Sequence, residues 1–369
     1  MLVRRVISVL ILLSCSGSIS AKALSEKPRA SLDPQQCVEN LPLSVRIGQL
    51  LLPLTSNGSG TTSLLEKGLI SGFAITGTLN QKNAAEIKRI SKVNFRYGVI
   101  IASDEEGGSV QRFRKIIWPL ASANEMAEVH TPADAYDLYF AYGQKLKEWG
   151  VSVVIGPVVD VGFGPGIGKR SYSNDPTVVT DYAKSAIQAY TDAGLMPVLK
   201  HFPGHGETTN DSHNDVAITK DLVQLKTKDL LPYELLDQFN NVGVMVGHLI
   251  VPGTSNGLPS TMSQPIIKGL LRTELGFQGT VFSDALGMGA VAKYYSEEAT
   301  ALAFLSAGGT ILIVPSVQSA SKISKAIERS ITNKKMNPSI ITNAALQVFR
   351  TKEINPCLLI LSKEKTQRR

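Results

Sequence analysis

Short apolar segments recur along the chain, and they alternate with segments in which apolar residues repeat at helical spacing. Most of the apolar segments have no polar face, which is typical of strands buried on both sides in a parallel sheet. Eight such segments are present: GQLLLPL (48–54), SGFAIT (71–76), YGVIIASD (97–104), VSVVIGPVVDV (151–161), MPVLKHF (196–202), VGVMVGHLIV (242–251), GTVFSDA (279–285) and GTILIVPS (309–316). Eight buried strands alternating with helices predict an α/β protein with a single (β/α)8 TIM-type barrel; an open doubly wound sheet is the competing fold.

Helices are predicted between these strands, and several of the helical segments end at a glycine, a common helix stop. The predicted helical segments are 83–98, 133–150, 180–194, 222–239, 265–277 and 290–309. Two further helices are expected after Pro315. Pro232 lies inside the fourth segment and predicts a break there, because proline cannot continue a regular helix.

Charged residues stand at the ends of several predicted strands. Asp104 ends the third strand, Lys200 and His201 end the fifth, and Asp284 ends the seventh. A barrel gathers the carboxyl ends of its strands around one mouth, whereas an open sheet spreads them along an edge. These positions favour the barrel, and the absence of a Pro/Gly/Ser linker in the sequence favours one domain.

The first 23 residues have the layout of an export signal, with a basic start, a short apolar run and small residues after it. Cleavage after Ala23 fits this pattern, while Leu12-Leu13-Ser14-Cys15 resembles a lipobox that would leave Cys15 lipid-modified. We expect an exported, monomeric protein of the periplasm or cell envelope, bound to the membrane if Cys15 is lipidated. The predicted regions are a signal (1–23, or ending before Cys15), an N-terminal extension (24–42), the barrel (43–355) and a basic C-terminal tail (356–369).

The net charge bears on nucleic-acid binding, and two cysteines bear on a disulfide bond. The formal net charge of +7 lies largely near the two ends of the chain, so we expect no nucleic-acid partner. Cys37 and Cys357 form a disulfide in an oxidising compartment or remain two buried thiols, and their spacing in the sequence does not distinguish these alternatives.

The segment KHFPGHGETTNDSH (200–213) contains three of the five histidines of the chain. We expect no metal, because the segment lacks an HExxH motif and no cysteine lies nearby, and we expect no organic cofactor. A Ser-His-Asp triad is disfavoured by the absence of a GxSxG motif. A third reading pairs Asp284, after a buried strand, with a dyad of His213 and Asp211. Taken alone, Asp284 fits a helix cap and the dyad fits a hydrogen bond that stabilises the loop.

Four motifs follow four different predicted strands: DEEGGSVQRF (104–113), GKRSYSNDP (168–176), KHFPGHGETTNDSH (200–213) and FSDALGMGA (282–290). Together they resemble the β-N-acetylglucosaminidases of glycoside hydrolase family 3, bacterial enzymes that remove N-acetylglucosamine from peptidoglycan fragments. The resemblance covers about residues 43–350 in the expected order. The fourteen-residue loop discriminates best, because family members that act on plain glucosides or xylosides usually lack it.

The resemblance implies a role for each matching residue. Asp284 matches the catalytic nucleophile, His213 the general acid/base, and Asp211 the carboxylate partner of His213. The positions that match residues holding the sugar are Asp104, Arg112, Arg170, Lys200 and His201. An imidazole titrates near neutral pH, so it can act as acid and then as base with little tuning.

The resemblance thus implies a retaining exo-β-N-acetylglucosaminidase that acts on N-acetylglucosamine-containing muropeptides. The alternatives are a family 3 β-glucosidase, a glycoside phosphorylase and, outside the enzymes, an envelope sugar-binding protein. We interpret His205 as structural to the loop, and Glu105 and Glu106 as turn or supporting residues. Ser109 and Ala285 depart from the family pattern, which has arginine and aspartate at these positions in many relatives.

Overall fold

The computed structural model describes residues 33–360. The predicted signal (1–23), Cys15 and residues 361–369 of the predicted tail lie outside the described residues. None of the helices within residues 33–360 is long and apolar enough to cross a membrane.

Each of the eight apolar segments contributes one strand of a parallel barrel. The strands are β1 (Leu51–Thr55), β2 (Gly72–Ile75), β3 (Ile100–Gly107), β4 (Val153–Val158), β5 (Met196–Phe202), β6 (Gly243–Val246), β7 (Thr280–Ser283) and β8 (Leu312–Val314). They lie in the order β7-β6-β5-β4-β3-β2-β1-β8. A bridge from Phe282 of β7 to Ile311, just before β8, brings the two outer strands together. The predicted (β/α)8 barrel is therefore confirmed.

Helices surround the barrel, so most of its strands are buried along their whole length. The α-helices are α1 (Pro34–Glu39), α2 (Leu43–Gly48), α3 (Thr62–Glu66), α4 (Gln81–Ser91), α5 (Ala123–Val129), α6 (Pro132–Glu148), α7 (Pro176–Asp192), α8 (Leu222–Thr227), α9 (Gly289–Ala292), α10 (Glu297–Ser306), α11 (Val317–Thr332) and α12 (Pro338–Thr351). Short 3-10 helices span Gly168–Arg170, Leu231–Asp237 and Ser260–Met262, and a π-helix spans Pro265–Glu274.

The structure tests the continuity of two predicted helices. The break predicted at Pro232 is confirmed, because α8 ends at Thr227 and a separate 3-10 helix begins at Leu231. The single helix predicted over 290–309 was wrong, because the structure has α9 and α10 there. The Ser296 side chain accepts a hydrogen bond from the Ala299 amide and starts the second helix afresh.

Three short strands extend the loops at the carboxyl end of the barrel. Val110–Gln111 pairs antiparallel with the end of β3. Ala217–Ile218, after β5, pairs in parallel with Leu249–Ile250, after β6. The predicted strand over 242–251 is therefore two strands, one inside the barrel and one at its mouth.

A disulfide joins Cys37 of α1 to Cys357, 320 residues further along the chain. The structure thus contains the bond rather than two buried thiols. Because a cross-link over so long a loop restricts the unfolded chain, the Cys37→Ser/Cys357→Ser variant should lose about 2–5 kcal/mol of unfolding free energy. Urea unfolding with and without reductant measures this loss. Reductant should destabilise the parent protein and leave the variant unchanged; equal stability of the two proteins without reductant contradicts the prediction.

Lys352, just after α12, is partly buried, and its ammonium contacts neutral partners. Its ammonium donates to Gln49 Oε1 at 2.7 Å and to the Tyr97 carbonyl at 3.0 Å, and burial lowers its pKa from 10.5 to about 7. Between these pH values the unfolded chain holds a proton that the folded protein lacks. Lys352 should therefore make stability rise with pH across this window, by up to about 1.4 kcal/mol per pH unit.

The Lys352→Met variant should lose this contribution to the slope. Urea unfolding at pH 7, 8 and 9 checks the difference between variant and parent, with the exposed Lys335→Met as the matched control. A Lys352→Met slope equal to that of the parent would show that Lys352 does not titrate in this range.

Candidate active site

A cavity of about 390 Å³ opens at the carboxyl end of the barrel. Its charged and imidazole lining consists of Asp104, Glu106, Arg112, Arg170, Lys200, His201, His213 and Asp284. Apolar side chains, among them Leu54, Ile75, Met245 and Met288, line the remainder. All predicted site residues except Asp211 reach this cavity, and Asp211 bonds to His213. The structure therefore brings the predicted set together from four different strand ends.

Asp284 follows β7 directly and is 9% exposed. Its backbone N–H donates to the Val246 carbonyl at 3.0 Å, and its Oδ1 accepts the Ala285 N–H at 2.8 Å. Burial alone raises the pKa of Asp284, but His201, His248 and the Ala285 N–H lower it, and the net shift is downward. The side chain is therefore a carboxylate at neutral pH and can act as a nucleophile.

His213 lies on the loop after β5, and its side chain is 55% exposed. Its Nδ1 and its backbone N–H contact the same oxygen, Asp211 Oδ1, at 2.8 and 3.0 Å. Burial raises the pKa of Asp211, but the two hydrogen bonds from His213 lower it by more, so the net shift is downward. Asp211 is therefore a carboxylate that accepts hydrogen bonds. An Nδ1–H that donates to Asp211 leaves Nε2 of His213 available for proton exchange.

Asp104 lies between two cations. Its Oδ1 contacts Lys200 Nζ at 2.7 Å and its Oδ2 contacts Arg112 at 2.6 Å. Burial raises the pKa of Asp104, but the charges of Lys200 and Arg112 prevail and lower it. Asp104 is therefore ionised and held in one orientation at the cavity wall.

Glu106, interpreted from the sequence as a turn or supporting residue, lines the cavity and supports two of its cations. Its carboxylate binds Arg170 through Nε at 2.7 Å and a second guanidinium nitrogen at 2.9 Å, and it contacts Lys200 at 2.5 Å. Burial raises its pKa, but the charges of Arg170 and Lys200 lower it overall. Strand periodicity could have found it, because Asp104 and Glu106 are two residues apart and share a face of β3.

Glu105 points away from this face, as the same periodicity requires. Its carboxyl group accepts from the hydroxyls of Ser103 at 2.5 Å and Tyr142 at 2.7 Å. Burial is the main reason that its pKa rises to about 7. Glu105 is therefore bonded to Ser103 and Tyr142 on the side of β3 that faces away from the cavity, and it does not line the cavity.

Asp160, fully buried two residues beyond β4, is a residue that the sequence interpretation missed. One of its oxygens accepts the backbone N–H groups of His201 at 3.1 Å and His205 at 2.7 Å. The other contacts His201 Nδ1 at 2.7 Å, while His201 Nε2 lies 3.3 Å from Arg170. Because arginine has only donors, Nε2 accepts and Nδ1 donates to Asp160. The only sequence signal was an aspartate at the end of GPVVDV.

The remaining loop and strand histidines have structural contacts. His205 bonds through Nδ1 to Thr208 Oγ1 at 2.7 Å and through Nε2 to Ser212 Oγ at 2.8 Å, as expected for a residue that shapes the loop. His248 contacts Thr261 and the Ala285 carbonyl, and so supports the turn that carries Asp284. Within residues 33–360, no three histidine, cysteine, aspartate or glutamate side chains are arranged to hold a metal ion.

Residues 42–351 match the sequence model of the glycosyl hydrolase family 3 N-terminal domain. The match covers most of the chain, so the chain belongs to glycosyl hydrolase family 3 and is a glycoside hydrolase.

Named relatives agree with this assignment. The β-hexosaminidase LpqI of Mycobacterium tuberculosis is 37% identical over 266 residues, which are 69% of this chain and 68% of that protein. A solved structure of M. tuberculosis LpqI has a TM-score of 0.81 and 32% identity, covering 87% of this chain and 96% of that one. The β-N-acetylglucosaminidase structure from Thermotoga maritima has a TM-score of 0.75 at 25% identity, covering 86% and 70%. The predicted enzyme class is thereby confirmed.

Proposed function

We propose that this protein is a retaining exo-β-N-acetylglucosaminidase that releases N-acetylglucosamine from peptidoglycan fragments. The observation that carries the proposal is the shared cavity of Asp284 and His213, with Asp211 bonded to the imidazole. A cavity of about 390 Å³ lies at the small end of the roughly 300–1,000 Å³ range of ligand pockets, which suits one terminal sugar. The names of the relatives support the N-acetylhexosamine part of the proposal.

In the first step, the Asp284 carboxylate attacks the anomeric carbon as the bond to the leaving oxygen breaks. Doubly protonated His213 donates its Nε2 proton to that oxygen, while its Nδ1–H remains on Asp211. The negative charge of Asp211 stabilises the imidazolium before the transfer. The products are a covalent glycosyl-enzyme and the free aglycone.

In the second step, His213 is neutral and its Nε2 accepts a proton from water. The water oxygen bonds to the anomeric carbon, and the Asp284 carboxylate leaves. Two inversions give a product with the β configuration of the substrate. The imidazolium is restored, and the enzyme returns to its starting state.

The fixed charges around the cavity suit the sugar hydroxyl groups. Asp104 has acceptor oxygens, while Arg112, Arg170 and Lys200 carry donors. The Arg112 Nε–H is buried with no hydrogen-bond partner among the described residues, so Arg112 retains an unused donor at the cavity wall. His201 is held by Asp160 beside Arg170.

We further propose that the protein acts outside the cytoplasm, in the periplasm or cell envelope. The Cys37–Cys357 disulfide supports this location, because such bonds form and persist in oxidising compartments. Peptidoglycan fragments are available there. Lipid attachment at Cys15 and a monomeric state remain predictions from the sequence.

An assay of purified peptidoglycan fragments and of simple glucosides, with and without phosphate, tests the proposal. We expect N-acetylglucosamine release that is independent of phosphate, with the β anomer appearing first by NMR. N-acetylglucosamine 1-phosphate would indicate a phosphorylase, preferential glucose release a β-glucosidase, and binding without turnover a sugar-binding protein. Trapping with a 5-fluoro-N-acetylglucosaminyl fluoride and peptide mapping should place the label on Asp284; a label on another residue contradicts the assignment.

A further inference from the structure

The loop that carries His213 is bonded through its backbone to the segment that follows Asp284. The Gly289 N–H donates to the His213 carbonyl at 2.9 Å, and the Ala290 N–H donates to the Ser212 carbonyl at 3.1 Å. Two consecutive donors thus meet two consecutive acceptors, one of them on His213 itself. We refer to residues 289–294 as the docking segment.

Gly289 allows this close approach. A Cβ at position 289 would lie 2.3 Å from the Asn214 carbonyl oxygen and 2.8 Å from that of His213. Gly289 is not among the glycines with positive φ, so its backbone conformation is open to other residues. The space occupied by the loop backbone is therefore the reason for a glycine at this position.

A pair of side-chain contacts extends the attachment. Asp215 Oδ2 contacts Lys293 Nζ at 3.1 Å, and the Tyr294 hydroxyl donates to Asp215 Oδ1 at 2.6 Å. The side chains of Lys293 and Asp215 are about half exposed. Exposed pairs of this kind contribute little to stability, because water screens the two charges. The attachment is therefore weak enough to open and re-form during turnover.

We propose that the docking segment positions His213 opposite Asp284, with Gly289 and Asp215 as positioning residues for the acid/base step. This inference rests on the proposed role of His213. The nucleophile and the segment that receives the acid are adjacent in the sequence, both on the connection after β7. Docking therefore sets the position of the imidazole relative to the carboxylate that attacks the same sugar.

The Gly289→Ala variant tests the docking. Its kcat/KM should fall about 100-fold for an N-acetylglucosaminide with a poor leaving group, and no more than about threefold for the 2,4-dinitrophenyl glycoside. The backbone amides of residues 289–290 should exchange hydrogen faster, because they lose the loop carbonyls. Gly269→Ala is the matched control, since a Cβ there meets nothing nearer than 3.9 Å. Unchanged leaving-group dependence and unchanged exchange in Gly289→Ala would overturn the proposal.

Asp215→Asn and Tyr294→Phe keep the test decisive if Gly289→Ala fails to fold. Each should lower kcat/KM for the poor leaving group by about two- to fivefold, and the double variant should lose more than either single variant, because the two substitutions affect different contacts of residue 215. Equal effects on both substrates count against the docking proposal.

The His213→Ala variant separates the two hypotheses. If it lacks leaving-group dependence, the proposed acid/base role is wrong. If His213→Ala shows the dependence while the docking variants do not, only the docking proposal fails.

Discussion

Replacing Asp284 with alanine should lower hydrolysis of an N-acetylglucosaminide by about 10⁴-fold or more, as expected when a catalytic nucleophile is removed. The fold should survive, because Asp284 lies at the edge of the cavity beyond β7 and the strand bonds are made by backbone atoms. Steady-state kinetics, together with thermal unfolding of parent and variant, measures the two effects separately.

Azide can take the place of the missing carboxylate in this variant. With a 2,4-dinitrophenyl β-glycoside, azide should restore turnover and give the α-glycosyl azide, because a single inversion replaces two. Asp284→Asn is the matched control, since its amide fills the space that azide would need. Near-normal activity of Asp284→Ala without azide, or a β-glycosyl azide product, would exclude Asp284 as the nucleophile.

Replacing His213 with alanine should have an effect that depends on the leaving group. Loss of general acid catalysis costs about 10²–10⁴-fold in kcat/KM when the leaving oxygen needs a proton. A 2,4-dinitrophenolate leaves without one, so its kcat/KM should change little. Measuring a series of aryl glycosides with leaving groups of increasing basicity checks this result.

Asp211→Asn is the companion variant for His213. Asparagine keeps the shape of Asp211 but removes the negative charge that stabilises the imidazolium. The variant should therefore lose kcat/KM with the same dependence on the leaving group as His213→Ala, but by a smaller factor. A uniform loss across the series in His213→Ala would indicate a role in binding or loop structure. A residue other than His213 would then have to protonate the leaving oxygen.

The eight strands and the barrel could be predicted because each strand lies in a short apolar segment without a polar face. MPVLKHF matches β5 residue for residue, and the other segments each contain a strand. The helix boundary at Ser296 could not be predicted from apolar periodicity, because a local side-chain cap decides it. The disulfide needed coordinates, since sequence separation says nothing about the distance between two cysteines.

In the candidate active site, too, some residues could be predicted from the sequence and others could not. Asp284 directly follows β7, and Asp104 and Lys200 lie in the carboxyl-terminal halves of β3 and β5, where a barrel brings its strands together at one mouth. Glu106 and Asp160 act through buried charge pairs and hydrogen bonds, which depend on the three-dimensional neighbours of each carboxylate. Neither contact leaves a pattern as visible as the histidine-rich loop, although the alternation of side chains along β3 pointed to Glu106.

Asp160 makes the histidine-rich loop uneven in how firmly the fold holds it. By accepting the N–H groups of His201 and His205, it fastens the first residues of the loop to the segment just beyond β4. At the other end of the loop, the side chain of His213 is more than half exposed and is bonded to Asp211. The positions predicted to hold the sugar are therefore anchored to a buried carboxylate, whereas the position predicted to transfer the proton is open to solvent.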